Sequence, residues 1–339
     1  MMEFGFVPNR SNAIFLQNSF ENQLATSFSA LFEQLCPFDS ARFSISLADS
    51  YASLEPSQLN AMHNFVYHWT IKLVEKNEFD QASRLLNTLI DSEYDKLPYF
   101  VEGSSIDPEL LREILKEVGG GTSFKLIELD AIQAELEVTA RRQLEIGRTH
   151  LMTACPILMG EIDALVKSVI FFKSGGATRE RALSFTGNYV QSMVLINGVL
   201  DVSWIFLIDK LIHEAAHTYI FALNLREEMV TNPDDKKYPS PLRRDGRYMA
   251  VIFHAVVVIQ RLIYAFSEIL LTCELTVEET ARIKNLLIFY HSRLDDGFDT
   301  VMEHGLMSST ARNIVLEGQE IALHLRDTNK SWISSKIAA

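Results

Sequence analysis

Leu211-Ile212-His213-Glu214-Ala215-Ala216-His217-Thr218-Tyr219 reads H-E-x-x-H inside a helical pattern. Two histidines at i and i+4 lie on one face of a helix, about one turn apart. From that spacing both imidazoles can reach a single metal ion. Glu214 points roughly a quarter-turn away, which makes it a base or a supporting group rather than a third ligand of the same stripe. An amphipathic helix with two incidental histidines shows the same pattern, so the context must decide.

Beyond this stretch, Glu227 to Lys237 is a polar loop, and then comes Ser240-Pro241-Leu242-Arg243-Arg244-Asp245-Gly246-Arg247. Asp245 reads as the cap of a second apolar helix of about 25 residues. Inside that helix Arg247, His254 and Arg261 recur at intervals of seven. That interval drifts only about 20° per step, which puts all three on one face. A buried face of this kind costs several kcal/mol unless each group finds a partner. A metal ion and an anionic ligand would be such partners. Taken alone, His254 reads equally well as a hydrogen-bonded core histidine; beside the upstream pair it reads as the third ligand. The segment Tyr248 to Cys273 is apolar enough to suggest a membrane span. A central arginine costs about 2.5–3.5 kcal/mol on insertion, so a buried core helix is expected instead. Thr276 with Glu279 boxes the start of a further helix, expected to end near Asp295-Asp296-Gly297, and one more helix follows Leu306.

On the other side, Ser168 to Phe172, Leu183 to Phe185 and Tyr189 to Ile196 read as two or three short antiparallel strands. They end at the turn Asn197-Gly198, after which Asp201 caps the histidine helix. A long amphipathic helix is expected from Leu126 to Cys155, with Pro156 interrupting it and helix resuming to Val166. Asp107-Pro108-Glu109 starts a helix that runs to Gly119-Gly120-Gly121. That triplet lacks the frame and the preceding strand of a phosphate loop. A helix pair, Ser53 or Ser57 to Lys76 and Phe79 to Ile90, breaks at Asn77-Glu78, and a first helix over 12–36 stops at Pro37. The pattern predicts an α+β, mainly α-helical chain: an N-terminal helical region over 1–145, then a metal-binding catalytic region over 146–339. In the latter a small antiparallel sheet packs with zincin-like metal-binding helices.

The net charge of −13 argues against a nucleic-acid partner, because phosphate binding needs a basic surface. Cys36, Cys155 and Cys273 are odd in number and far apart. They make neither a zinc knuckle nor a disulfide framework, which predicts a reducing cytoplasm. No signal peptide opens the sequence and no membrane partner is expected.

Three ligands, His213, His217 and His254, would leave positions open on the ion, which means catalysis rather than structure. An all-histidine set holds zinc or iron(II). A zinc metallopeptidase would use Glu214 as general base. A 2-oxoglutarate oxygenase would use an arginine fork for the distal carboxylate of that co-substrate.

Three blocks carry a resemblance. The first runs from Ala154-Cys155-Pro156 through Glu161-Ile162-Asp163-Ala164-Leu165-Val166. The second is His213-Glu214-Ala215-Ala216-His217. The third is Ser240-Pro241-Leu242-Arg243-Arg244-Asp245-Gly246-Arg247 with His254 seven residues on. Together, over roughly 145–270, they resemble the HExxH motif-containing peptide-modification family, the 2-oxoglutarate-dependent peptide β-hydroxylases of ribosomal-peptide (RiPP) biosynthesis. Leu242 stands where that family usually has Trp, and Gly246 where it has Pro. The resemblance implies Fe(II) on His213, His217 and His254, with 2-oxoglutarate and O2 as co-substrates. It implies hydroxylation of a side-chain β-carbon in a precursor peptide. Arg247 would hold the co-substrate carboxylate, with Arg243 and Arg261 behind it, and Glu214 would orient a ligand histidine or a bound water. The N-terminal helices, which the resemblance does not cover, read equally as plain structural support or as docking surface for the peptide's leader.

Overall fold

The structure, a computed structural model, describes residues 4–91, 99–119, 128–175, 183–241 and 246–328. Along the chain come α1 (Arg10–Phe38), α2 (Ile45–Ala52), α3 (Ala61–Glu75), α4 (Phe79–Asp91), β1 (Phe100–Val101), α5 (Pro108–Gly119), β2 (Glu128–Ala131), α6 (Ala134–Ala154) and α7 (Pro156–Leu165). Then follow β3 (Ser168–Gly175), β4 (Ser184–Phe185), β5 (Met193–Asn197), α8 (Trp204–Asn224), α9 (Met249–Thr272), α10 (Val277–His304) and α11 (Ser309–Thr328). The chain is mainly helical with a small mixed sheet, an α+β architecture. It divides into two compact units, neither of them continuous in sequence: 1–13 with 138–164 and 201–339, and 14–137 with 165–200.

The second unit holds the sheet. β3 runs parallel to β1 and β5, while β2 pairs antiparallel with β3 and β4 with β5. The expectation of a wholly antiparallel sheet is therefore corrected. The cause is the short β4, which reverses the chain between β3 and β5. Ser192 takes a left-handed backbone, φ 72°, and its carbonyl accepts hydrogen bonds from both Lys167 N and Ser168 N, at 2.8 and 3.2 Å. The starts of β3 and β5 are thus pinned side by side, and the two strands leave in the same direction. Every residue of β5 is buried, as suits a strand covered on both faces. Around the sheet, Phe20, Phe28, Phe43, Phe65, Leu86, Ile114 and Ile170 join one apolar core. The α3–α4 break falls at Asn77, φ 63°. There Asn77 N bonds Val74 O and Glu78 N bonds Leu73 O, a left-handed helix stop in which an asparagine takes the place glycine usually holds.

Three other expectations are revised. The single helix expected over 126–155 is a strand followed by α6, which begins at Ala134. The cap of α8 is Ser203, whose hydroxyl accepts from Phe206 N; Asp201 instead accepts from Ser203 N and pairs with Arg282. Helix α10 does not stop at Gly297 but runs on to His304. A Cβ at Gly297 would stand 2.9 Å from Pro241 Cγ and 3.0 Å from Val256 Cγ2, so this glycine serves a close approach and not a turn.

In the first unit α9 packs against α8, α10 and α11. It is long and apolar enough to cross a membrane by composition, yet 78% of that window is buried within the fold. Ile252, Val256, Ile259, Ile263 and Phe266 are all fully buried, and each such burial stabilises by about 1.5–3 kcal/mol. Helix α8 is buried almost all round, with Leu207, Ile208, Leu211, Ile212 and Ile220 inside. The polar groups it carries need partners.

Candidate metal-binding site

The three histidines meet. His213 Nε2 lies 3.3 Å from His217 Nε2, and His217 Nδ1 lies 2.9 Å from His254 Nδ1. The first pair comes from helical spacing alone. The second comes from the packing of α9 on α8. Phe221 flanks both His217 and His254, and Phe253 stands edge-on to His254. All three residues are half-buried.

Burial holds all three rings below the ordinary histidine range. For His213 the desolvation is reinforced by His217 and by the Lys210 ammonium. His217 is depressed to about 4 by desolvation, and His254 is pushed well down by desolvation and then by His217. All three are neutral at physiological pH, which is the protonation state that ligates metals.

The donor set fits a cation in kind, and the upstream pair fits in spacing. A separation of 3.3 Å is what two nitrogens need when each stands ~2.0–2.1 Å from one tetrahedral ion. The third ring is arranged differently. His217 turns Nε2 to His213 and Nδ1 to His254, so the rings form a row, with His217 bridging the other two. Among the described residues no three His, Cys, Asp or Glu side chains surround a single cation position.

Glu214 is buried on α8 between the two histidines; its carbonyl accepts from Thr218 Oγ1 at 3.0 Å. Arg247 does not share a helical face with His254, because α9 begins at Met249 with Tyr248 as its cap. Arg247 instead makes two backbone hydrogen bonds with Tyr238, of 2.8 and 2.9 Å. Arg243 and the expected cap Asp245 lie outside the described residues. Arg261 does share the face with His254, and it is buried at 2% exposure. Its Nη1 donates to Glu161 Oε1 at 2.8 Å, and its guanidinium lies over the rings of Phe6 and Tyr219. The structure thus gives Arg261 an internal carboxylate as its partner. Burial raises the Glu161 carboxyl, and the charge of Arg261 opposes that shift.

A neighbouring group escaped the sequence reading. Asp209, one turn before His213, is buried, accepts a hydrogen bond from Tyr290 Oη of α10, and pairs with Lys210 Nζ at 2.5 Å. The i−4 spacing from His213 to a carboxylate in an apolar helix was the signal for it. No protein-family model matches the sequence, and no curated protein matches it.

Proposed function

We propose that the protein is a metal-dependent enzyme whose ion is held by His213, His217 and His254. On the resemblance of its three motif blocks, we read it as an iron(II)/2-oxoglutarate oxygenase that hydroxylates a side-chain β-carbon of a ribosomally made peptide. The observation that carries the proposal is the convergence of three neutral imidazoles from two helices into one cluster. Half-buried neutral imidazoles gathered in this way are a donor set for a cation, and three of them leave positions for a co-substrate.

Bound there, iron(II) with 2-oxoglutarate and dioxygen would supply the oxidising chemistry; the protein's part is binding, orientation and exclusion of water. Burial keeps the three imidazoles unprotonated. Phe221 and Phe253 present apolar walls to His254. On the resemblance, Arg247, at the threshold of α9, is our choice for the co-substrate carboxylate, with Arg243 beside it in sequence and Arg261, which pairs with Glu161, behind them.

The test needs no peptide. Metal-free protein receives iron(II) and then 2-oxoglutarate under anaerobic conditions, and the visible spectrum is recorded. A charge-transfer band that requires both additions is the expected result. Its absence, together with tight stoichiometric zinc in the protein as purified, would overturn the oxygenase reading in favour of a zinc peptidase with Glu214 as base.

A further inference from the structure

The segment Phe4–Asn9 belongs to the compact unit that carries the histidines, whereas α1 beyond residue 13 belongs to the other. It has no helix or strand of its own before Arg10, so its backbone groups must find partners elsewhere. They find side chains. Gly5 O accepts from Tyr219 Oη at 2.9 Å. Phe6 N–H donates to Glu317 Oε2, and Asn9 N–H to Glu161 Oε2, both at 2.8 Å. The ring of Phe6 is fully buried, 5.0 Å from the Arg261 guanidinium and edge-on to Tyr264.

Two glycines inside helices make room here, one for Phe6 and one for Arg10 at the start of α1. A Cβ at Gly318 of α11 would stand 2.8 Å from Phe6 Cδ2 and 2.3 Å from Gln260 Oε1. A Cβ at Gly160 of α7 would stand 3.2 Å from Arg10 Cδ. Mid-helix glycine costs about 0.5–1 kcal/mol relative to alanine. The seated Phe6 ring is the compensation at Gly318.

Four helices are tied by these contacts: α7 through Glu161, α8 through Tyr219, α9 through Arg261 and α11 through Glu317. Two of them carry the imidazoles. Tyr219 follows His217 by two residues, and Arg261 stands two turns from His254 on the same face. We propose that Phe6 is a positioning residue for the imidazole cluster. The segment clamps α8 and α9 at a set spacing and so holds His254 against His217. The inference rests on the three histidines being a ligand set, and adds to it a residue far away in sequence.

Cobalt(II) is the probe, because its d–d absorption reports ligand number and symmetry. Two full-length variants are compared with wild type. Phe6→Leu keeps apolar volume but removes the ring from beside Arg261, and Tyr219→Phe removes only the hydroxyl that holds Gly5. Both should keep the wild-type helical circular dichroism, alter the d–d band and weaken cobalt binding about tenfold, the lower end of what loss of a supporting group costs a metal site. Unchanged cobalt affinity and band in both variants, with only a lower unfolding temperature, would overturn the proposal and leave the segment as a stability anchor.

Wild-type protein that takes no cobalt would sink the metal reading on which this one rests, and would leave only its geometric part, that the segment holds His254 against His217. The readout then becomes carbethoxylation of the histidines in metal-free protein, followed by mass spectrometry with the exposed His324 as internal reference. Faster modification of His217 and His254 in the variants supports positioning; equal rates refute it.

Discussion

At the scale of single residues, Glu214 discriminates between the two chemistries open to an H-E-x-x-H helix. If the histidines serve an oxygenase, Glu214→Gln keeps metal at wild-type stoichiometry. It should also keep turnover within the roughly 100-fold that marks the loss of a general base. Metal analysis beside a turnover assay decides, and a larger loss with metal intact points to a peptidase. A second residue carries a pH dependence. His291 of α10 is buried and depressed to about 4, chiefly by desolvation and then by Arg326. It is neutral in the fold, while the unfolded chain takes up a proton below about 6.5. Its contribution to stability is therefore complete above about pH 6.5 and is lost as the pH falls through the window down to about 4. The loss is at most about 3 kcal/mol. Thermal unfolding of wild type and His291→Gln at pH 7.5 and 4.5 should show a smaller acid loss in the variant. Equal losses would remove His291 from the account.

At the scale of elements, legibility followed the physics of local spacing. The i, i+4 geometry of His213 and His217 needs nothing beyond a helix, and the long apolar runs of α8 and α9 have no other stable home. The capping box Thr276–Glu279 was equally plain and is present, with both hydrogen bonds formed. What stayed hidden depends on partners distant in the chain. Gly297 looks like a helix stop because glycine weakens helices on its own. Its reason is Pro241 and Val256, which no local window contains. The salt bridge of Arg261 spans 100 residues to Glu161, so the arginine read from spacing as a ligand group is held by the protein's own carboxylate. The parallel pairing of β3 and β5 turns on the two-residue β4, which reverses the chain between them and is too short to announce itself in a local window. Gly297→Ala tests this distinction. On an open helix face the change stabilises by about 1 kcal/mol. Here the added methyl should destabilise by about 1–3 kcal/mol, as overpacking does, in a denaturant titration. A gain in stability would return Gly297 to the status of an incidental residue.

At the scale of the whole molecule, the division of labour does not follow a single cut. Residues 165–200 belong to the same compact unit as 14–137, and residues 1–13 to the same unit as 201–339. A boundary at 145, natural from the change of texture along the sequence, separates pieces that share a core. Fragments 1–145 and 146–339, made separately, should each lack a cooperative thermal transition and show less helical circular dichroism than the parent chain. A fragment 146–339 that melts cooperatively with full helicity would show that the early segment is dispensable to that unit.

Phe6 and Glu317 are bonded across 311 positions. A ribosome adding about 5–20 residues per second needs roughly 15–60 s to cover that interval. For all of it Phe6 is already made while the α9 and α11 residues that bury it do not yet all exist. The histidine-bearing unit is therefore completed late, and through that interval Phe6 stays unburied, within reach of chaperones and proteases.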